Sequence, residues 1–529
     1  MKRFYSRTVF AFAVLLLVAG CSTAKPAENS APKDELVVAI GAEPDTGFDP
    51  TKGWGRYGSP LFQSTLLKRD DQLNIVNDLA TSYAVSVDGK TWTVKLRNDV
   101  TFSDGEPLTA EDVKFTFDKI ASNGAAIDLN NLTSVKAGQD EVVFQLHKPQ
   151  STFVYNLITT GIVPKHAYSS TYAEKPIGSG PFTFVQWDRG QQLIVEVNEN
   201  YYGAKPSIHK LTFLFLNEDA AFAAAKAGSV DVAYIPSAFS HQEVAGMRLE
   251  AVKTVDNRGI AFPYVKAGGK TDKGYAIGND VTADKAIRVA INTVIDRQQL
   301  VEGILEGYGS PAFTANDGLP WWNEDTVIKD NDADAASQIL ADGGWVDSDK
   351  DGIVEKGSLK AEFTLLYPSG DVTRQSLALA AADMVKKAGI QINVEGKSWD
   401  EIEKLMHSNA VLLGWGSHDP LEMFNLYSSE YGGVDYYNTG YYSNPAVDKL
   451  FEQALDARTE EEALSFWKQA QWDGQTGLSV QGDAPWAWLV NIDHLYLVKD
   501  GLDIGKQRIQ PHGHGWPVTD NIESWSWTK

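Results

Sequence analysis

The run Leu96-Arg97-Asn98-Asp99-Val100-Thr101-Phe102-Ser103-Asp104-Gly105-Glu106-Pro107-Leu108-Thr109-Ala110-Glu111-Asp112-Val113 holds a strand end, a turn and a helix start in one short segment. Asp104-Gly105 makes the turn, Pro107 stiffens it, and Thr109 stands as N-cap with Asp112 at the third helical position. Working outward, Lys90 to Leu96 reads as the strand that enters this run and Thr109 to Ile120 as the helix that leaves it. Glu35 to Ile40, Glu141 to Leu146, Leu211 to Leu216 and Val230 to Ile235 read as further strands. Asp219 to Ala227, Thr282 to Leu305, Val372 to Ala388 and Asn444 to Ala470 read as helices, the first and third stopped by Gly228 and Gly389. Strands alternating with helices predict α/β domains.

The chain has 529 residues, enough for about three or four domain-sized units. Hydrophobic residues make up 43% and charged residues 22%, which excludes wholesale disorder and a multi-span membrane protein. Asp and Glu number 70 against 47 Lys and Arg, a net charge of -23 that opposes attraction to phosphate backbones, so no nucleic-acid partner is expected. With 15 Trp and 20 Tyr, the chain is rich in the flat amphipathic side chains that grip small ligands.

Met1 to Cys21 reads as a processing segment: Lys2, Arg3 and Arg7 are followed by the apolar stretch Val9 to Val18, too short to span a ~30 Å bilayer core. The only cysteine follows directly, in Leu17-Val18-Ala19-Gly20-Cys21. This resembles a bacterial lipobox, which implies acylation at Cys21 and an extracytoplasmic, membrane-anchored protein; an ordinary secretory signal with an incidental cysteine is the alternative. Residues 22–34 lack apolar periodicity and read as a flexible tether.

Several further motifs stand in order with the opening run: Pro176-Ile177-Gly178-Ser179-Gly180-Pro181-Phe182, Asn200-Tyr201-Tyr202-Gly203, Ala227-Gly228-Ser229-Val230-Asp231, and Lys285-Ala286-Ile287-Arg288-Val289-Ala290-Ile291-Asn292 followed by Ile295-Asp296-Arg297. Together they resemble the large extracytoplasmic solute-binding proteins of ABC importers, the family that includes dipeptide-, oligopeptide- and nickel-binding members. The resemblance implies a type II periplasmic-binding-protein-like fold of two lobes around a cleft, with an extra subdomain in the N-terminal lobe. The expected layout is a signal peptide over 1–20, a tether over 21–34, an N-terminal lobe over 35–265 with an insert at about 60–175, a C-terminal lobe over 266–490, and a return to the first lobe over 491–529. It implies binding by hinge closure without chemistry, no required cofactor, and delivery to ABC permease subunits and their ATPase. No Gly-x-Ser-x-Gly elbow, Walker loop or His-Glu-x-x-His motif stands against a non-enzymatic role.

Candidate ligand residues fall in four places. Gln510-Pro511-His512-Gly513-His514-Gly515 reads either as a metal-facing pair of imidazoles or as a Gly-rich loop with packed histidines. Gly414-Trp415-Gly416-Ser417-His418-Asp419-Pro420 follows the apolar run Ala410 to Leu413, at a strand end where α/β folds place ligand contacts. These two segments, with Gly53-Trp54-Gly55-Arg56-Tyr57-Gly58, resemble the nickel-type branch, whose cargo is a metal chelated by small organic molecules. In that reading His418, His512 and His514 are metal-ligand candidates, and Arg374 and Arg56 are carboxylate clamps or surface ion pairs. Trp54, Tyr57, Trp399 and Trp415 wall the chelate or belong to the core. Arg56-Tyr57 departs from relatives that place a histidine there, which favours a more carboxylate-rich chelate.

Asp347-Ser348-Asp349-Lys350-Asp351-Gly352 opens like a calcium loop, but position twelve is Ser358 where an EF-hand needs Glu, so it is read as a turn. The expected function is capture of a nickel or related transition-metal chelate. A di- or oligopeptide receptor, with Asp419 on the amino group, is the alternative. A hydrolase built on His418-Asp419 and a receptor feeding a membrane sensor are the other classes considered.

Overall fold

The computed structural model describes residues 34–528 except 42, 57, 59, 124–128 and 514. The processing segment, Cys21 and the tether therefore lie outside the described residues, as do Tyr57 and His514. No described helix is long and apolar enough to cross a membrane.

Two large sheets organise the described chain. In the first, seven strands run in the order Met247–Val252, His494–Lys499, Val232–Ile235, Glu35–Ile40, Lys210–Phe215, Gln192–Val197, Phe182–Asp188. Glu35–Ile40 lies at its centre, parallel to both neighbours, and its Val38, Ala39 and Ile40 are buried as a continuous apolar run requires. The second sheet has six strands in the order Gly309–Pro311, Trp486–Ile492, Asn257–Ala261, Ala410–Leu413, Glu362–Pro368, Gln391–Lys397. A third, antiparallel sheet of four strands lies within residues 80–146, with helix Ala110–Asn123 on it through Phe117, whose ring meets Phe144 edge-on at 4.8 Å. The family-like turn closes as its residues dictate: Gly105 has φ +93°, Leu108 N–H donates to Val100, and Asp112 accepts from the Thr109 N–H and hydroxyl at 2.9 and 2.8 Å. Ser103 N–H then donates to Gly178 O, which joins this turn to the Pro176–Phe182 motif.

The chain passes between the two large sheets at two places. Met247–Val252 belongs to the first sheet and Asn257–Ala261 to the second, so the first crossing is residues 253–256. Trp486–Ile492 and His494–Lys499 put the second crossing at Asp493. Residues 257–261 pair in the second sheet and 494–499 in the first, so the crossings fall close to the expected lobe boundaries at 265 and 490.

Two expected long helices are each broken. Thr282 to Leu305 becomes Lys285–Val294 and Arg297–Ile304, because Ile295 is extended and the Asp296 side chain caps the second helix through Gln299 N–H. Asn444 to Ala470 becomes Pro445–Asp456 and Glu460–Gln471, with Thr459 as the new N-cap. Both breaks are capping events, which helical periodicity does not register.

The crossings are stitched by polar groups. Thr254 hydroxyl donates to Ile492 O, Ile492 N–H to Asp256 O at 2.8 Å, and Lys253 pairs with Asp493 at 2.8 Å. Asp256, 4% exposed, meets Arg258 at 2.5 Å, His512 Nδ1 at 3.0 Å and His494 Nε2 at 3.4 Å. Burial alone would raise its pKa, yet Arg258, His512 and His494 more than offset this and hold the carboxyl well below its usual range. Asp256→Ala strands a buried guanidinium and is expected to cost about 3–5 kcal/mol, read as a lower denaturation midpoint. The sign in pH follows: the depressed carboxyl stabilises above its unfolded pKa of about 4, and the contribution is lost as pH falls below that.

Candidate functional site

Strand Ala410–Leu413 ends in the loop Gly414 to Pro420, and Pro420 leads into helix Leu421–Tyr427. Backbone sterics hold this loop against the first crossing. A Cβ on Gly416 would come within 2.5 Å of Val255 O, and one on Gly414 within 2.6 Å of Asn257 O. Asn257 N–H donates to Trp415 O at 2.9 Å, its side chain accepts from Trp415 N–H at 3.0 Å, and His512 N–H donates to Gly416 O at 2.8 Å.

The loop forms one wall of a cavity of about 660 Å³, within the ~300–1,000 Å³ typical of small-molecule sites. Both halves of the molecule contribute: Trp415, His418, Asp419, Glu422 and Tyr437 on one side, Arg56, Lys68, Arg69, Tyr155 and Arg508 on the other. Arg69 joins the two. Its guanidinium donates to His418 O at 2.7 Å and to Leu73 O at 2.6 Å, and stands over the Tyr155 ring at 5.0 Å. Arg508 donates to Arg69 O at 2.9 Å and pairs with Asp520. Trp415 stacks on Tyr437 with centroids 4.9 Å apart.

Some polar groups of the lining residues have no protein partner. Gln63 Oε1, Trp415 Nε1, His418 Nε2, Asn425 Oδ1 and Arg508 Nε are all buried, unpartnered, and carried by residues that line the cavity. Such groups are normally satisfied, and these five have almost no exposed surface, so a guest would meet them only after a shift of the wall. Burial, with the charges of Arg508 and Arg69, pushes the His418 imidazole well below its usual pKa, opposed by a hydrogen bond to the backbone of Ile509. The ring is therefore neutral, and its Nε2 has no protein partner.

The carboxylates are displaced in the other direction. Burial pushes Asp419 up to about 7, against the Leu421 N–H and Arg69, and pushes Glu422 up to about 7, against the N–H groups of Gly416 and Ser417. Trp54, Arg374 and His512 stand outside the cavity lining and have partners of their own. Trp54 Nε1 donates to Pro60 O at 2.8 Å and the ring meets Phe48 and Trp516 edge-on, so it is core. Arg374 pairs with Asp371, the N-cap of helix Val372–Val385, and lies outside the cavity lining; burial and Arg258 push it down to about 10. His512 Nδ1 is committed to Asp256 at the crossing. Trp399 is 43% exposed and meets the cavity only through the Tyr436 ring, 5.3 Å away. Arg56, Trp415, His418 and Asp419 are brought together in the lining. Arg69, Arg508 and Glu422 were not singled out in the sequence; the nearest signal was Arg508 standing just before the histidine loop.

Asp419 and Glu422 hold protons in the folded state that the unfolded chain, with carboxyls near 4, releases. Stability of the ligand-free protein therefore falls as pH rises from about 4 to about 7. Asp419→Asn keeps the Leu421 cap and is expected to raise the melting temperature at pH 8 while leaving it unchanged at pH 4; calorimetric melts at the two pH values check this.

Comparison with known proteins agrees with this architecture. Residues 74–437 match the middle region of the bacterial extracellular solute-binding proteins, family 5. The chain is 34% identical to Protein XP55 of Streptomyces lividans, over 89% of this chain and 86% of that one. It is 27% identical to the oligopeptide-binding protein AppA of Bacillus subtilis, over 96% of each. The solved structure of NikZ from Campylobacter jejuni in complex with Ni(L-His) superposes with a TM-score of 0.77 at 26% identity, over 94% of this chain and all of that one. Proteins of this family are binding components and not enzymes, and work outside the cytoplasm with ABC permease and ATPase subunits. The chain belongs to the bacterial extracellular solute-binding proteins of family 5, and is the substrate-binding component of an ABC importer.

Proposed function

We propose that this protein captures a nickel or related transition-metal chelate and delivers it to its permease. The observation that carries the reading is His418, a neutral histidine in the cavity lining whose Nε2 has no protein partner. A neutral imidazole is the form in which histidine binds a metal, and burial keeps His418 neutral. One imidazole is a poor metal site alone, so small organic molecules supply the remaining ligands. Arg56, Lys68 and Arg508 line the cavity among a larger number of carboxyl groups, Arg508 paired with Asp520 and Lys68 near Asp78, and Trp415 offers a flat face. The likeness to NikZ with Ni(L-His) points the same way. A lipid on Cys21 would keep the binding protein at the membrane that holds the permease.

A short peptide is the second reading, favoured by the carboxyls of Asp419 and Glu422 in the cavity and by the likeness to oligopeptide-binding AppA. Calorimetric titration of the metal-stripped protein with nickel, with nickel plus L-histidine, and with dipeptides separates the two. We expect binding of nickel with histidine, weakened at least about tenfold in His418→Ala. Peptide binding indifferent to nickel and to His418→Ala would overturn the assignment.

A further inference from the structure

The segment between helix Ala333–Asp342 and strand Glu362–Pro368 takes no part in the cavity. Within it Asp347, Asp349, Asp351 and Glu355 each bring an oxygen within 4.8 Å of the other three. An acidic turn alone is ordinary. Glu355 is not: it is 8% exposed, and its Oε1 has no hydrogen-bond partner, nor has the buried Asp347 Oδ1. The other Glu355 oxygen is fixed at 3.0 Å from both the N–H and the hydroxyl of Ser348, so the carboxylate cannot turn to find a partner. A buried carboxylate oxygen held among three others is costly unless a cation meets it.

We propose that Asp347, Asp349, Asp351 and Glu355 bind a divalent cation, and that the cation is calcium. Carboxylate oxygens are hard donors, and ligands on opposite sides of a calcium ion stand about 5 Å apart, given Ca–O distances of about 2.3–2.6 Å. Reading the segment as a plain turn rested on Ser358 at position twelve. The fold closes the loop three residues earlier: Val346 and Glu355 form a β-bridge, and the hairpin Glu355–Lys356 with Leu359–Lys360 points Glu355 back at the aspartates. Lys360 now pairs with Asp349 at 3.2 Å and with Asp351, and its side chain is 39% exposed, so it can swing into solvent when the ion enters. The ion would brace this loop on the second sheet's core, to which Trp345 and the Val354 N–H···O Gly389 bond already tie it.

The test is calorimetric titration and thermal melting of the EDTA-treated protein with calcium chloride, with magnesium chloride in parallel. Calcium is expected to bind with a Kd of about 10⁻⁴–10⁻³ M or tighter and to raise the melting temperature, with magnesium weaker. Both responses should vanish in Asp349→Asn, whose exposed side chain keeps its turn hydrogen bond and so preserves the fold, and in Glu355→Gln. Lys360→Met removes the competing ammonium and should bind calcium more tightly than wild type. No calcium response in the wild-type protein, an equal response in Asp349→Asn, or weaker binding in Lys360→Met would each overturn the proposal.

Discussion

The Asp256 carboxylate is the constraint on which the rest of the molecule depends. It sits where the chain passes from one large sheet to the other, and it is charged in a place where burial alone would neutralise it. Arg258 comes from the strand that follows, His494 from the strand that returns, and His512 from the C-terminal segment. A buried charge this well surrounded contributes little net stability over an apolar substitute, but it fixes which segments must meet. Both crossings and the returning C-terminus therefore share one hub.

The binding cavity inherits its geometry from that hub. The loop that carries Trp415 and His418 has glycines at 414 and 416 because the crossing backbone lies too close for a side chain. His512, committed to Asp256 through its ring, holds Gly416 O through its backbone N–H. Arg69 then reaches across to His418 O, a second tie between the two halves of the cavity. This arrangement does no bond-making chemistry. A neutral imidazole, two carboxyls with pKa values raised to about 7 and an aromatic face belong to the residues that line it.

Much of the fold was legible because it is written in local rules. The strand Glu35–Ile40 and the Asp104 to Asp112 turn and cap follow from burial pattern and turn chemistry alone. The broken helices at Ile295 and Ala457 were missed because apolar periodicity continues through each break, while one side-chain cap decides it. In the site, His418 and Asp419 stood out by their place after a strand. Arg69 and Arg508 did not, because an arginine that becomes buried against partners hundreds of residues away looks like any other surface cation in the sequence. Trp54, Arg374 and His512 have chemistry that suits a ligand, but the fold gives them partners away from the cavity that sequence does not reveal.

The central claim is that His418 gives its free nitrogen to the metal of the cargo. Nickel K-edge X-ray absorption on the protein loaded with nickel and L-histidine tests this directly. One more imidazole nitrogen around nickel in the wild type than in His418→Ala is the predicted result. Identical coordination in the two proteins would contradict the account.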